Sequence, residues 1–340
     1  MRVLIADDDA IALELLRDAL VEAGHDVTCA VDGRAAEQKL AQDDYQVLIT
    51  DWEMPGIDGL GLCRAVRHGE LHGRSYIYVV LLTAHNSTAE KIEGLSAGAD
   101  DFISKPFDPQ ELIARMQAAE RLLSLETRDV AIFAMAKLAE SRDPETGAHL
   151  ERVMNYSRVL AQQLPAMGKF TDEIDAEFVR LIHSTSPLHD IGKVGMPDGV
   201  LLKPGRLSDR EFDIMKTHTT IGALTLDAAL QRYPGAKYLR MARDIAASHH
   251  ERYDGGGYPS KLKGNEIPLC ARIVALADVY DALTSKRVYK NAFAHEVATG
   301  IIVKDSGTHF DPAIVDAFIA IEQTFISIRE KFQEQQSMAA

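Results

Sequence analysis

Cysteine is scarce in this sequence, and the few cysteines are scattered. Cys29, Cys63 and Cys270 are the three that occur among 340 residues, and no two of them form a CxxC pair. This spacing excludes a disulfide framework and a thiolate zinc site as expectations. It favours small buried thiols in a reducing compartment.

Positive charge and long apolar runs are scarce as well. The formal net charge of −14 argues against a surface for nucleic acid, because a phosphate backbone attracts concentrated lysine and arginine. No apolar run reaches the roughly 20 residues that span a bilayer, and the N-terminus becomes acidic at Asp7, too early for a signal peptide. The sequence therefore predicts a cytoplasmic protein with no DNA or membrane partner. An anionic substrate remains compatible with this charge, because bound metal cations can reverse the local field.

Short apolar runs, each followed by a polar residue, recur in the first third of the chain. These runs are residues 3–6 before Asp7 and Asp8, residues 47–50 before Asp51, and residues 78–82 before Thr83. Amphipathic stretches lie between them, which predicts parallel strands alternating with helices. Function in such open sheets gathers at the carboxyl ends of the strands, where these polar residues fall.

Three carboxylates at one edge of a sheet repel one another unless a divalent cation lies among them. We therefore expect Asp7, Asp8 and Asp51 to surround Mg²⁺. One carboxylate could then act as a nucleophile toward a phosphoryl group, with Lys105 offering a positive charge to the new phosphate. A single aspartate at a strand end more commonly faces solvent, but the whole set at these intervals favours the metal site.

Residues 1–121 resemble a response-regulator receiver domain. The resemblance is carried by the run 51–59 and by Lys105-Pro106-Phe107. It implies a doubly wound, flavodoxin-like sheet of five parallel strands, in which Asp51 accepts a phosphoryl group from a sensor histidine kinase. It also implies Mg²⁺ binding by Asp7, Asp8 and Asp51, and a phosphorylation switch formed by Thr83, Phe102 and Lys105.

A stretch without glycine or proline joins the two halves of the chain. It covers residues 110–143, and its apolar residues fall near heptad spacing, which predicts a long linker helix. Such a helix either pairs with its twin in a homodimer as a short coiled coil or packs on its own protein. The pattern favours neither arrangement.

Beyond residue 125, helical periodicity dominates and histidines occur beside carboxylates. Glu145 and His149 are four residues apart, so they share one helix face. His249 and His250 are adjacent and point about 100° apart on a helix, which suits two neighbouring metal ions. The candidate ligands are Glu145, His149, His189, Asp190, His218, His249, His250 and Asp278.

Imidazole mixed with carboxylate, without thiolate, suits iron, manganese or zinc better than magnesium. Asp190 is placed to bridge two such ions, and a bridged site suits phosphoester hydrolysis because metal-bound water ionises near neutral pH. Tyr258, in a glycine-rich loop, either stacks on a base or caps the core. Arg287 and Lys290 either face one phosphate together or lie on a solvated helix surface.

Residues 125–328 resemble the HD-GYP family, a branch of the HD phosphohydrolases, and residues 329–340 are expected to form a tail. The motifs that carry the resemblance are residues 189–193, 249–259, 278–285 and 306–312. The resemblance implies an all-helical domain that hydrolyses cyclic di-GMP to linear pGpG and onward to GMP. Two sites depart from the family pattern: Lys261 stands where glycine is usual, and Val288 where proline is common.

The same resemblance assigns roles to the candidate residues. It implies that His189, Asp190, His218, His249, His250 and Asp278 hold two iron or manganese ions, with Glu145 and His149 adding a third. Asp190 and Lys193 are the expected catalytic residues. Lys193, Arg287, Lys290 and Tyr258 are the expected substrate contacts.

These expectations describe a two-component output enzyme with receiver-controlled phosphodiesterase activity. Two alternatives remain open. One is a regulatory protein that binds a cyclic dinucleotide without turnover. The other is a phosphodiesterase for a mixed cyclic dinucleotide, because no base-reading residue is identifiable from the motifs.

Overall fold

The computed structural model describes residues 1–68, 76–84, 87–142, 148–285 and 292–339, without the side chains of 125–127 and 333–339. Glu145, Arg287, Val288 and Lys290 therefore lie outside the described residues. The chain divides into two compact units, Met1–Arg128 and Asp129–Ala340. Among the described residues, no helix is both long enough and apolar enough to cross a bilayer.

The first unit is a parallel sheet with helices packed against it. Its strands are β1 Arg2–Ala6, β2 Asp26–Ala30, β3 Val47–Asp51, β4 Tyr78–Thr83 and β5 Asp101–Ser104, and its helices begin with α1 Ala10–Glu22, α2 Gly33–Gln42, α3 Gly59–Arg67 and α4 Thr88–Ser96. The strand order is β2-β1-β3-β4-β5. β1, β3 and β4 are apolar because helices cover the sheet on both faces. The predicted doubly wound, flavodoxin-like fold is confirmed.

The strand order reverses between β1 and β3, and this switch point positions the acidic residues. Ala6 at the end of β1 pairs with Thr50 near the end of β3. The next residue along each strand is an aspartate, Asp7 and Asp51 respectively. Ligands of open parallel sheets bind at such a point, outside the carboxyl ends of the strands.

Helix α5, Pro109–Glu140, is one continuous helix that contains the division between the units. Its residues Leu112, Met116 and Ala119 are buried in the core of the first unit. This part of the helix therefore packs on its own protein. The sequence pattern predicted a helix over residues 110–143, and the helix ends three residues earlier.

The second unit is helical, and its described residues form no β-strand. Its elements after α5 are α6 His149–Ala166, α7 Ala176–Thr185, a 3-10 helix Ser186–Gly195, α8 Asp198–Leu201, α9 Asp209–Arg232, α10 Lys237–Ser248, a 3-10 turn Gly264–Glu266, α11 Leu269–Thr284, α12 His295–Lys304, α13 Pro312–Ala320 and α14 Glu322–Ala339. The predicted all-helical fold is confirmed. The expected tail from residue 329 is helical as far as Ala339.

Helix α11 passes through the centre of this unit. Ile273, Leu276 and Tyr280 on it are fully buried, and its apolar residues surround the helix on most sides, as expected of a helix enclosed by others. Polar residues on such a helix are costly unless they have partners. Asp278 and Asp281 interrupt the apolar pattern, and both belong to the site described next.

Candidate metal centre

The structure brings the described candidate ligands of the second unit together in two groups. One group is Asp190, His218, His249 and His250, and the other is His149, His189 and Asp278. Within each group, the potential ligand atoms all lie within 4.8 Å of one another. The ligands come from α6, the 3-10 helix, α9, the end of α10, and α11, so residues distant in sequence converge.

Asp190 faces both groups through its two carboxylate oxygens. Its Oδ1 lies 3.2 Å from His218 Nε2, and its Oδ2 lies 3.3 Å from His189 Nε2. Lys193 Nζ lies 2.9 Å from the same Oδ2. Burial would raise the pKa of Asp190, but Lys193 and His189 outweigh it and hold that pKa well below its ordinary value. The carboxylate is therefore ionised and placed between two sets of imidazoles.

Backbone carbonyls fix the orientation of three imidazoles. His189 Nδ1 lies 2.9 Å from the Ser186 carbonyl oxygen, His218 Nδ1 lies 2.7 Å from that of Met215, and His249 Nδ1 lies 3.0 Å from that of Ile245. A carbonyl only accepts, so each Nδ1 carries the proton and donates it. Each Nε2 is then the ring nitrogen that faces the site and is available to a metal, the arrangement found at histidine ligands in general.

His149 is oriented by a buried carboxylate that the sequence reasoning missed as a functional residue. Asp281 Oδ2 accepts a hydrogen bond from His149 Nδ1 at 2.8 Å, and Arg152 binds both oxygens of Asp281 at 2.6 and 2.9 Å. Burial would raise the pKa of Asp281, but His149 and Arg152 lower it to about 2. The spacing offered a signal, because Asp281 lies three residues after Asp278, on the same face of α11.

The residues present fit divalent metal ions. Asp190 Oδ1, His218 Nε2 and His249 Nε2 are buried without a hydrogen-bond partner in the described structure. Although Asp190 Oδ1 and His218 Nε2 are 3.2 Å apart, the His218 ring donates from Nδ1 to Met215. Buried polar atoms are normally paired. Burial lowers the pKa of His249 well below its ordinary value and that of His250 to about 4, so both rings are neutral, as ligands must be. Burial would also lower the pKa of His189, but Asp190 and Asp278 raise it to about 9. Cations shared by these carboxylates and imidazoles would satisfy both groups.

A glycine allows the 3-10 helix to approach α9 closely. A Cβ on Gly192 would lie 1.9 Å from the carbonyl oxygen of His218 and 2.6 Å from Gly222 N. No side chain fits in that space. The glycine two residues after Asp190 thus brings this carboxylate to His218.

The glycine-rich loop places Tyr258 against the ligands. Glu251, which is 2% exposed, accepts hydrogen bonds from Ser260 N at 2.7 Å and Leu262 N at 3.1 Å. The Tyr258 ring lies 4.8 Å from the His250 ring, centroid to centroid. Lys261 has a φ of 59°, in the left-handed region that favours glycine. The glycine expected at position 261 therefore has a conformational reason.

The first unit holds a separate acidic cluster at the switch point of its sheet. Ligand atoms of Asp7, Asp8 and Asp51 lie within 4.8 Å of one another. Lys105 Nζ lies 2.7 Å from Asp7 Oδ2 and 2.8 Å from Asp51 Oδ1. Burial raises the pKa of Asp51, more than Lys105 lowers it. An oxygen-only site of this kind suits Mg²⁺.

Two of the three predicted switch residues, Thr83 and Phe102, lie on neighbouring strands of the sheet. Thr83, at the end of β4, is buried. Phe102 on β5 is half-buried, and the Lys91 ammonium lies 4.8 Å from the centre of its ring. Thr83 and Phe102 both line one cavity.

Comparison with known proteins gives a consistent result for the two units. A family described as the HD domain matches residues 134–314, and the response regulator receiver domain matches residues 3–117. The chain is 38% identical over 98% of its length to a Vibrio cholerae protein named "Probable cyclic di-GMP phosphodiesterase", of which it covers 81%. It is 35% identical over 94% of its length to the cyclic di-GMP phosphodiesterase response regulator RpfG of Xanthomonas campestris pv. campestris, of which it covers 87%. It is also 39% identical over 60% of its length to the Vibrio cholerae 3'3'-cGAMP-specific phosphodiesterase 2, of which it covers 37%.

Proposed function

The chain belongs to the family of response regulators that join a receiver domain to an HD-GYP domain, and on that premise we propose that it hydrolyses cyclic di-GMP under the control of phosphorylation at Asp51. Relatives of similar length carry cyclic di-GMP phosphodiesterase in their names. The observation that carries the proposal is the position of Asp190, whose two oxygens face two separate groups of ligands. A phosphodiester between two cations is the chemistry that this arrangement serves.

Asp190, Lys193 and Tyr258 have different roles in the proposed reaction. When bound, two divalent ions supply Lewis acidity and lower the pKa of water. Asp190 holds the two ligand groups together, and the Lys193 ammonium, 2.9 Å from Asp190 Oδ2, offers a positive charge to a phosphate oxygen. The Tyr258 ring covers the His250 imidazole and limits the access of water from that side.

The identity and number of the metals belong to this proposal. Imidazole and carboxylate ligands without thiolate suit iron, manganese or zinc, and of these we propose iron or manganese. His189 and Asp278, from the second group, would complete the site for a pair of ions, and Glu145 with His149 would add ligands for a third. Glu145 lies outside the described residues, as do Arg287 and Lys290, which we assign to phosphate binding on the family resemblance.

For the first unit we propose phosphorylation by a sensor histidine kinase with Mg²⁺ as the cofactor. Asp7, Asp8 and Asp51 offer the oxygen ligands, and Lys105 already contacts Asp51. Thr83 and Phe102 are the groups we expect to respond. A homodimer formed through α5 stays a prediction.

The decisive experiment is a hydrolysis assay on the full chain, loaded anaerobically with Fe²⁺ or Mn²⁺. We expect cyclic di-GMP to yield pGpG, and the Asp190→Asn variant to lose at least about 100-fold in kcat, because the link between the two ligand groups is weakened. Asp227→Asn is the control, since Asp227 is a half-buried aspartate on α9 whose ion pair in the described structure is with Arg243. Binding of cyclic di-GMP by fully metallated wild-type protein without any linear product would reject the enzyme and support a binding regulator.

A mixed cyclic dinucleotide is the second candidate substrate. It is favoured by the 39% identity to a relative named 3'3'-cGAMP-specific phosphodiesterase 2. The two candidates differ in one base, so the phosphodiester chemistry is common to both. Competition between cyclic di-GMP and 3'3'-cGAMP in the same assay, read as a ratio of kcat/KM values, decides between them.

A further inference from the structure

We propose that Phe212, Lys216 and Tyr258 form a subsite for one nucleobase of the substrate, and that this subsite prefers guanine to adenine. The inference rests on the proposed function and adds the group that reads the base. These three side chains are called the aromatic subsite below. Phe212 and Lys216 come from α9, and Tyr258 comes from the glycine-rich loop.

The rings of the aromatic subsite lead away from the metal ligands. Tyr258 lies 4.8 Å from the ligand His250, and Phe212 lies 6.3 Å from Tyr258 at an interplanar angle of 78°. In a cyclic dinucleotide each base is attached to the ribose next to the cleaved phosphate. A base one sugar away from a phosphate at the His250 end is therefore within reach of Phe212.

Phe212 is much more exposed than an apolar residue of the core. Its side chain is 45% exposed, although the neighbouring turns of α9 bury His218 and Thr219. An accessible aromatic face beside a phosphodiester site suits a stacked base, because every base has an apolar face. The Tyr258 ring is nearly perpendicular to the Phe212 ring, so the two rings form a corner that a flat base can enter.

Lys216 supplies the chemistry that distinguishes the bases. Its ammonium lies 4.8 Å from the centre of the Phe212 ring and 5.8 Å from that of Tyr258. Guanine presents the acceptors O6 and N7 on one edge, whereas adenine presents an amino donor beside N7. An ammonium donates only, so it pairs with guanine and opposes the adenine amino group. Asp213 also accepts from Lys216 at 2.8 Å, but that carboxylate is 72% exposed, so the pair costs little to rearrange.

The other end of α9 offers a matched control. Arg232 lies 6.0 Å from the ring of Tyr233, which is 58% exposed. This is again a cation beside an exposed aromatic ring on the same helix. The described contacts place neither residue beside a ligand of the metal centre, so Tyr233→Ala is expected to leave every parameter unchanged.

The first test replaces Phe212 by alanine in the metal-loaded full chain. We expect KM for cyclic di-GMP to rise about tenfold with a smaller change in kcat, since stacking on an aromatic side chain is commonly worth that much. Hydrolysis of methyl 4-nitrophenyl phosphate, which has no base, should be unchanged. An unaltered KM for cyclic di-GMP, or an equal loss with both substrates, would overturn the subsite.

The second test replaces Lys216, the residue proposed to distinguish guanine from adenine. Wild-type protein should prefer cyclic di-GMP to cyclic di-AMP, and Lys216→Gln should reduce that preference at least about fivefold, because an amide pairs with adenine. 3'3'-cGAMP can place its guanine in the subsite and should remain close to cyclic di-GMP. A preference that Lys216→Gln leaves intact would show that the base is read elsewhere.

A binding measurement separates this inference from the proposed function. A cyclic dinucleotide with 2-aminopurine as both bases should lose fluorescence on binding to wild-type protein and to Tyr233→Ala, and should lose less on binding to Phe212→Ala. This readout needs no turnover. Quenching without hydrolysis of either phosphodiester would reject the proposed activity and support the subsite. Hydrolysis without quenching would support the activity and reject the subsite.

Discussion

At the scale of single residues, the buried Asp281–Arg152 pair makes the strongest energetic prediction. Arg152 is 3% exposed and binds Asp281 through two nitrogens. Asp281→Asn leaves the guanidinium buried without its counter-charge, which typically costs about 3–5 kcal/mol. Urea unfolding of the metal-free protein should show this loss, and Asp213→Asn, at an exposed pair, should show almost none. Equal stabilities of the two variants would contradict the assignment.

Lys261 gives a prediction of the opposite sign. Its φ of 59° is left-handed, which costs a non-glycine residue about 1–2 kcal/mol. Lys261→Gly should therefore stabilise the protein by about 0.5–1 kcal/mol, after the greater freedom of glycine in the unfolded chain is included. Lys263→Gly is the control in the same loop, because φ there is −128° and glycine only adds that freedom. Destabilisation by both changes would show that the Lys261 side chain has a structural role.

The candidate ligands could be proposed from sequence because metals select side chains by type. A histidine beside a carboxylate, as at His189-Asp190, and two adjacent histidines, as at His249-His250, indicate a metal site before the tertiary structure is known. Phe212 and Arg152 carried no such signal. An exposed phenylalanine and a buried arginine are recognised only when the tertiary structure shows what lies beside them.

At the scale of elements, Gly192 sets the distance between the 3-10 helix and α9. A methyl group there would lie 1.9 Å from the His218 carbonyl oxygen, so Gly192→Ala must separate the two helices. We expect overpacking to cost about 1–3 kcal/mol and metal content to fall, because Asp190 and His218 move apart. Gly199→Ala is the control, since a Cβ there meets nothing within 4 Å. Full metal content in Gly192→Ala would contradict this role.

The start of α9 predicts a pH dependence of stability. Glu211 completes a capping box with Ser208, and hydrogen bonds from Lys203 and Ser208 lower its pKa from 4.5 to about 2. A lowered folded-state pKa means that this stabilisation is present above pH 4.5 and is lost as the pH falls from 4.5 to 2. Glu211→Gln should therefore lose less stability than wild type between pH 5 and about 3 in urea titrations. Parallel pH profiles for the two proteins would show that Glu211 is not coupled to folding.

Element types were more predictable than element ends. The pattern of residues 110–143 predicted a helix as far as the last residue before Pro144. The helix ends at Glu140, and two residues later the Arg142 guanidinium donates hydrogen bonds to the carbonyl oxygens of Val194 and Met196. A long-range contact of this kind has no local sequence signal. The expected tail continues helix α14, which begins at Glu322 and packs Phe325 and Ile328 on the core of the second unit.

At the scale of the whole molecule, the two-part organisation was readable from the change in pattern near residue 125. Strand-like runs stop there, and the contact division falls between Arg128 and Asp129. The sequence also predicted one linker helix over residues 110–143, and helix α5 contains this division. Continuous helical periodicity contains no signal for a domain boundary. Packing shows the boundary, because Leu112 and Met116 are buried in the core of the first unit and Ile132 is buried in the second.

Each unit holds its own proposed cation site, so metals should stabilise the two units separately. The aspartates around Asp51 all lie before residue 128, and the histidine groups all lie after it. The single tryptophan, Trp52, follows Asp51 and lines the same cavity, so its fluorescence reports the first unit alone. Circular dichroism of helices reports mainly the second unit. The two signals therefore allow two thermal transitions to be followed in one sample.

Removal of transition metal from the loaded protein by a chelator should lower the circular dichroism midpoint and leave the Trp52 midpoint in place. A ligand at 100 times its Kd stabilises by about 2.7 kcal/mol, which for a unit of this size is about 5–10 °C. Added Mg²⁺ should raise the Trp52 midpoint alone, and Asp51→Asn should reduce that response. If chelation lowered both midpoints equally, folding of the two units would be coupled, and separate stabilisation would be wrong. If it lowered neither, the histidine groups would not hold metal in the folded protein.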